Sequence, residues 1–289
     1  PDWKQACEFA ERMVGEGWMV ITGAGEGIMG AAQGGAGRES SFGVNIRLPF
    51  EQLANEVIAG DPKLINFRYF FTRKITFVKE SHAIVLFPGG FGTHDEGFEA
   101  LTLIQTDKSE ILPVFFVDEP VGSYWRDWRR YLETHLEARG LISPEDLALF
   151  KVTDDVQAAV REICGFYRNY HSSRYVGELL VIRVREAPDA EKLEALNDEF
   201  GPILAAGRIA VCGALPEESG EVPDLPRITL HYDRRSVGRL RQLIDRLNAL
   251  GAPISSTRDA APHEIVPQTL PDAARRAELE GEQDGDEEE

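Results

Sequence analysis

The sequence has few cysteines and no long apolar run, and both absences exclude whole classes of protein. Its three cysteines, Cys7, Cys164 and Cys212, are odd in number and lie far apart. This pattern indicates neither a disulfide framework nor a zinc knuckle, and it suits a reducing cytoplasm. No stretch of about 18 apolar residues and no basic segment followed by an apolar one is present, so we expect neither a membrane span nor a secretory signal.

Basic side chains are scarce relative to acidic ones. The chain carries 31 Lys and Arg residues against 49 Asp and Glu residues, a net charge of −18. Such a charge argues against a nucleic-acid or membrane partner held by the overall field of the protein. The six histidines show no ligand spacing, and His94, Asp95 and Glu96 are consecutive, so they would project around a helix rather than toward one ion. We therefore expect no metal and no cofactor, and any bound phosphate has to be held by a few local groups.

Short apolar runs alternate with helical patterns through the first part of the chain. Such alternation predicts an α/β fold, in which a Rossmann-like parallel sheet carries helices on both faces. The predicted strands lie at 18–22, 42–48, 83–87 and 112–117. The predicted helices lie near 6–14, 71–80, 95–105, 125–138 and 155–167.

The remainder of the chain has a different pattern. Three predicted strands and two helices between 179 and 250 indicate a small α+β unit, of ferredoxin-like type, and the polar stretch 170–177 is interpreted as a linker. Beyond residue 260 the composition changes again, with nine acidic and two basic residues in 271–289, which predicts a disordered acidic tail. We therefore expect a Rossmann-like domain at 1–172, an α+β domain at 173–259 and a tail at 260–289.

Two glycine-rich turns follow strands in the first domain. The first contains the pattern G-x-G-x-x-G at Gly25, Gly27 and Gly30, and the second runs from Pro88 to Thr93. Glycines at the start of a helix allow backbone amides to approach a phosphate, and the helix dipole favours its charge. Because the carboxyl ends of parallel strands share one edge of a sheet, both turns can face a single crevice.

Other interpretations of these turns remain open at this point. NAD binding would call for an acidic residue at the end of the next strand, where Arg47 stands instead, so a dinucleotide is disfavoured. The glycines could also serve close helix packing alone. For Glu96, which follows the second turn, the simpler explanation is a carboxylate that complements the helix dipole in a first turn.

The signature Pro-Gly-Gly-x-Gly-Thr-x-x-Glu at 88–96, with Arg73-Lys74 upstream and the earlier glycine turn at 23–31, closely resembles the LONELY GUY family of nucleotide phosphoribohydrolases, long mislabelled lysine decarboxylases. The resemblance covers about residues 1–165. It is specific, because three motifs occur in the family's order and Arg73 and Glu96 have the spacing of its catalytic pair. It implies hydrolysis of the N-glycosidic bond of a nucleoside 5′-monophosphate, of the AMP or cytokinin ribotide type, to free base and ribose 5-phosphate. It also implies a homodimer or a higher homo-oligomer.

The resemblance implies a role for each residue of these motifs. Glu96 would stabilise the positive charge that builds up on the anomeric carbon, bind the ribose hydroxyls or position the attacking water. Arg73 would hold the substrate and pair with Glu96, with Lys74 in support. The phosphate would lie against Gly89, Gly90, Gly92 and Thr93, and the nucleotide site would be lined by Gly23, Gly25 and Gly27.

The sequence also departs from the family pattern. The family commonly begins with a strand ending in Gly-Ser that has no counterpart before Pro1, so either upstream residues are missing or that edge is rebuilt. The segment 67–72 differs from the usual one, which leaves the accepted base open. His94 replaces a residue that is frequently apolar, and it is interpreted as an exposed turn histidine or, alternatively, as a substrate contact.

Two further functions compete with hydrolysis. A non-catalytic carrier of nucleotides or of the molybdenum cofactor would have a similar fold and similar glycine turns, but it has no evident need for Arg73 and Glu96. The decarboxylase label would require a lysine that forms a Schiff base with pyridoxal phosphate, and nothing around Lys74 suggests such a site.

Overall fold

The structure, a computed structural model, describes residues 2–47 and 53–251. The predicted acidic tail and the end of the strand predicted at 42–48 lie outside these residues. The helices of the described part are α1 (Asp2–Gly15), α2 (Ile28–Ala36), α3 (Phe70–Glu80), α4 (Phe91–Gln105), α5 (Tyr124–Tyr131), α6 (Val156–Phe166), α7 (Ala190–Phe200) and α8 (Val237–Leu250). The strands are β1 (Val20–Thr22), β2 (Ser41–Ile46), β3 (Leu64–Phe67), β4 (Ile84–Leu86), β5 (Val114–Val117), β6 (Lys151–Thr153), β7 (Tyr170–Val176), β8 (Leu179–Val184), β9 (Leu204–Cys212) and β10 (Arg227–Tyr232).

The first six strands are parallel, as the alternating pattern predicts. They form two three-stranded sheets, in the orders β1-β2-β3 and β4-β5-β6, rather than one continuous sheet. β3 and β6 were not predicted, since they are only four and three residues long. The carboxyl ends of β1 and β4 lead into the two glycine turns, so the sheets position both of them.

Helices cover both faces of the sheet that contains β5. All four residues of β5 are buried, and successive side chains of a strand point to opposite faces. Phe115 packs in a cluster with Ala6 of α1 and Ile163 of α6. Phe116 packs in the other cluster, with Trp125 of α5. The α/β fold class is therefore confirmed.

The C-terminal strands form an antiparallel sheet of order β7-β8-β10-β9. In a ferredoxin-like sheet, the strand that pairs with the first strand at the edge is the last one in the chain. Here β7 takes that edge position beside β8, and it comes first in the chain. The interpretation of 170–177 as an irregular linker was wrong, because β7 occupies this stretch and pairs with β8. Cross-strand hydrogen bonds outweigh the polar composition that suggested a loop. The boundary expected at residue 172 falls inside β7, and the division into domains stays a prediction.

The α+β unit packs directly on the parallel unit. One continuous apolar cluster contains Leu86 and Ile104 from the first and Ile182, Leu243 and Leu247 from the second. The backbones of α8 and the 3₁₀ segment Pro144–Leu149 approach so closely that a Cβ atom on Gly238 would overlap the Glu145 carbonyl. The two units therefore share a core.

A buried ion network fixes the loop between β9 and β10. Glu218 has no exposed surface, and its carboxylate accepts from Arg227 at 2.9 Å and pairs with Arg183 at 2.7 Å. Burial acts to raise the pKa of Glu218, but hydrogen bonds from Arg227, the Leu215 amide and Arg183 outweigh it and set the pKa at about 2. This glutamate is therefore ionised wherever the protein is folded at ordinary pH.

Within residues 2–47 and 53–251, no helix is both long enough and apolar enough to cross a bilayer.

Candidate active site

Arg73 connects three separate parts of the parallel unit. It lies in the first turn of α3, where its Nε donates to the Val44 carbonyl of β2 at 2.9 Å. Its Nη1 lies 3.3 Å from Glu96 Oε1 on α4. Its Nη2 lies beside Gly23, where an added Cβ atom would approach it to 2.5 Å. Only 13% of the Arg73 side chain is exposed, so the guanidinium is held by these contacts rather than free to move in solvent.

Glu96 lies in the second turn of α4 and not in the first. The helix begins at Phe91, four residues earlier than predicted, because the amides of Thr93 and His94 donate to the Gly90 carbonyl and continue the helix through the motif. The first turn contains no acidic residue. The dipole explanation for Glu96 therefore loses its basis, since the dipole effect falls off within the first turn.

The environment of Glu96 raises the pKa of its carboxyl group. Burial raises the pKa of this carboxyl above its ordinary value, while the charges of Arg73 and Lys74 act to lower it. Burial also lowers the pKa of Arg73, against the opposing charges of Glu96 and Asp95. Both shifts have the same cause, the partial removal of the pair from water. The side chain of Glu96 remains 29% exposed, so a ligand can reach it.

Lys74 joins the same two helices on the side next to Arg73. Its Nζ lies 2.5 Å from Asp95 Oδ2 and 3.2 Å from Glu99 Oε2. Burial acts to lower the pKa of Lys74, but the two carboxylates outweigh it and the net shift is upward. Lys74 therefore stays charged, and its two ion pairs link α3 to α4.

The second glycine turn continues into α4. Gly89 and Gly90 precede the helix, and Gly92 and Thr93 lie in its first turn. The Thr93 hydroxyl occupies the space where a Cβ atom on Gly89 would lie, so no larger residue fits at this position. No side chain caps α4 at Gly90. A helix start without a cap has backbone amides available for an anion.

The first glycine turn is hydrogen-bonded by a residue that lies far from it in the sequence. Gly23, Gly25 and Gly27 lie between β1 and α2, and Gly27 has a φ of +70°, a conformation that only glycine adopts readily. The buried Asn55 donates to the Gly25 carbonyl at 3.0 Å and to Gln33 Oε1 at 2.6 Å. Sequence reasoning missed Asn55 and Gln33, because neither belongs to a recognisable motif and Asn55 lies 30 residues beyond the turn that it holds.

The structure brings Arg73, Lys74, Glu96 and Gly23 into one cluster of contacts. Arg73 is the residue through which the two glycine turns are joined, since it touches Gly23 after β1 and Glu96 on the helix that follows β4. In the part of the chain that the structure describes, no three His, Cys, Asp or Glu side chains are arranged to hold a metal ion. The arrangement can present a carboxylate and a guanidinium beside a helix start that suits an anion.

Known proteins are similar to the part of the chain that contains Arg73, Lys74 and Glu96. The family model described as "Possible lysine decarboxylase" matches residues 27–163. A cytokinin riboside 5′-monophosphate phosphoribohydrolase of Mycobacterium tuberculosis (strain ATCC 25618 / H37Rv) is 31% identical to this chain over 161 residues, which cover 54% of this chain and 82% of the relative. The chain belongs to the LONELY GUY family. The part that the LONELY GUY family model matches includes Arg73, Glu96 and the second glycine turn.

A solved structure also shows limited similarity to this chain. The molybdenum cofactor binding protein from the phototrophic bacterium Rippkaea orientalis is 17% identical and covers 56% of this chain and 85% of that one, with a TM-score of 0.39. The family match ends at residue 163, ahead of β7, so the α+β unit lies beyond the region that the LONELY GUY family accounts for.

Proposed function

We propose that this LONELY GUY protein hydrolyses the N-glycosidic bond of nucleoside 5′-monophosphates, of the AMP or cytokinin ribotide type, and releases free base and ribose 5-phosphate. Family membership supports a hydrolase of the phosphoribohydrolase type. The observation that carries the specific reaction is the ion pair of Arg73 and Glu96, which are 3.3 Å apart, beside an uncapped helix start. A carrier protein would have no chemical use for this pair.

Glu96 is the proposed catalytic carboxylate. Cleavage of a ribosyl bond leaves positive charge on the anomeric carbon, and a nearby carboxylate stabilises that charge more in the transition state than in the ground state. Partial burial strengthens the interaction, since water screens it less. The first proposed role of Arg73 is to bind the phosphate or the ribose. Its second proposed role is to keep Glu96 ionised at neutral pH, because the positive charge of Arg73 lowers the pKa of Glu96.

The helix start of α4 is the proposed phosphate site. The amides of Gly89, Gly90, Gly92 and Thr93, together with the Thr93 hydroxyl, are the candidate donors, although the Thr93 amide already donates to Gly90 within the helix. Gly23, Gly25 and Gly27 are proposed to line the opposite side of the nucleotide. The net charge of −18 makes such local donors necessary, because the overall field repels a phosphate.

The test is incubation of the purified protein with a panel of nucleoside monophosphates, with free base measured by chromatography. We expect base release from at least one nucleotide and a rate at least about a hundredfold lower for the matching nucleoside, since phosphate contacts orient the substrate. Equal rates for nucleoside and nucleotide would show that the glycine turns serve packing alone. Binding of a nucleotide with no base release would support the carrier instead.

The proposed active form is a homodimer, and the exposed apolar residues of α3 support this proposal. Among its residues only Val78 is buried, while Phe71 is 61% exposed and Ile75 is 57% exposed. Apolar surface of this kind beside Arg73 fits an interface with a second copy of the chain. Light scattering should give twice the chain mass for the wild type and a lower mass for Ile75→Asp. A monomeric wild type would contradict the proposal.

A further inference from the structure

The second glycine turn is flexible by composition, and its geometry has to be fixed by something outside it. Three of the four residues 89–92 are glycine, and a peptide unit between two glycines can rotate at little cost, because glycine tolerates both signs of φ. In a trans peptide the N–H and the C=O point in opposite directions. Rotation of the Gly89 and Gly90 peptide would therefore replace an amide donor with a carbonyl oxygen, which repels a phosphate.

One side chain hydrogen-bonds to the Gly89 carbonyl. Tyr124 Oη donates to the Gly89 carbonyl at 2.5 Å, and His94 Nε2 lies 2.7 Å from the same hydroxyl. Since the tyrosine proton is used on Gly89, His94 has to donate from Nε2 to the hydroxyl oxygen. The histidine thus completes a chain of two hydrogen bonds that ends on the turn. Tyr124 lies outside the family signature, and His94 occupies a variable position within it. His94 is therefore a partly buried residue of α4 and not the exposed turn histidine that the sequence suggested.

The tyrosine itself is attached to a rigid part of the fold. The next residue, Trp125, is fully buried and packs against Phe116 with ring centroids 4.7 Å apart. The buried Asp118 at the end of β5 accepts from the amides of Trp125 and Arg126 at 2.8 and 3.1 Å. Tyr124 is therefore fixed at the first turn of α5 by its core neighbour Trp125 and by the Asp118 carboxylate. Its hydrogen bond can in turn fix the Gly89 carbonyl of the second glycine turn.

We propose that Tyr124, supported by His94, is a positioning residue that keeps the amide of Gly90 directed at the phosphate of the substrate. The inference rests on the proposed function, because it needs a phosphate as the ligand. Loss of the hydroxyl frees the peptide to rotate and weakens phosphate binding in both the ground state and the transition state. Such a loss raises KM more than it lowers kcat.

The experiment compares Tyr124→Phe with Tyr131→Phe, a matched control on the same helix whose ring contacts His135. We expect Tyr124→Phe to raise KM for the cleaved nucleotide at least about tenfold with kcat within about threefold of the wild type. The melting temperature should stay unchanged, because the ring is retained. Tyr131→Phe should match the wild type in both constants. His94→Gln, which keeps an N–H donor, should retain a low KM, whereas His94→Leu should not.

A second measurement does not depend on activity. Hydrogen exchange of the segment 88–93 should be at least about fivefold faster in Tyr124→Phe than in the wild type and in Tyr131→Phe, because its amides open more often. Unchanged exchange, or faster exchange with an unchanged KM, would overturn the positioning role. A lower melting temperature with an unchanged KM would show a purely structural residue. Failure of the proposed function is distinguishable, because it would be seen as an inactive wild type.

Discussion

The guanidinium of Arg73 occupies the space that a side chain on Gly23 would need. A Cβ atom at position 23 would lie 2.5 Å from Arg73 Nη2 and 2.8 Å from Met29 Sδ. The first glycine of the turn after β1 therefore leaves room for a catalytic candidate on α3 as well as for Met29 of α2. Gly35, where a Cβ atom would meet the Cys7 backbone, is the position that helix packing requires.

Gly23→Ala should displace Arg73 from Glu96 without unfolding the protein. We expect at least about a tenfold loss of kcat/KM, since a shift of about 1 Å in a positioned group is enough for a loss of this size or larger. Gly34→Ala is the control, because no atom lies within 4 Å of a Cβ at that position. Equal losses in the two variants, measured by base release, would contradict the role assigned to Gly23.

Glu96→Gln removes the negative charge and keeps the shape of the side chain. We expect turnover to fall at least about a hundredfold while nucleotide affinity is largely retained, because the charge acts mainly in the transition state. Calorimetry gives the affinity and base release gives the rate. Glu80→Gln, at an exposed position at the end of α3, should change neither. Normal turnover by Glu96→Gln would exclude Glu96 as the catalytic carboxylate.

The pH dependence of activity should report the charge on Glu96. Its pKa is raised above 4.5, chiefly by burial, and the carboxylate is the active form, so kcat/KM rises as the pH increases through the shifted pKa. The Lys74 charge lowers that pKa. Lys74→Gln should therefore move the acidic limb of the profile to higher pH, whereas Lys74→Arg should leave it in place. A limb that does not move would show that another group controls the profile.

Glu218→Gln tests the buried network of the α+β unit. The folded pKa of about 2 lies below the ordinary 4.5, so the ionised carboxylate stabilises the fold above about pH 4.5, and this contribution is lost as the pH falls toward 2. The variant leaves Arg227 buried without its counter-ion and should lose about 3–5 kcal/mol of unfolding free energy at pH 7. The difference from the wild type should shrink at pH 3. Urea unfolding measures both values, with exposed Glu217→Gln as the control.

The sequence predicted the parts of the fold whose signals are local and strong. The apolar strands before the two glycine turns and helix α6, predicted at 155–167 and found at Val156–Phe166, depend on periodicity alone. β7 was missed because its stabilisation comes from pairing with β8, which a polar stretch does not reveal. The start of α4 was placed too late because glycines normally weaken a helix, and here tertiary contacts override that preference.

The sequence identified candidate residues for the site, and the structure shows which of them are in contact. The spacing of Arg73 and Glu96 indicated a pair, and they are in contact. The supports of the turns, Asn55 for the first and Tyr124 for the second, could not be predicted, because each acts on a carbonyl at least 30 residues away in the chain. Such contacts depend on how the sheets bring loops together, and no local pattern encodes them.

The close contact of Gly238 with Glu145 limits how this protein can have evolved. Helix α8 lies against the parallel unit without room for a side chain, and the apolar cluster continues across the junction. Addition or deletion of this unit in one step would expose the apolar junction to water. Its gain or loss would have to be accompanied by substitutions in the apolar cluster that the two units share, which includes Ile104, Leu149 and Phe150, so we expect the junction residues to have changed together in its history.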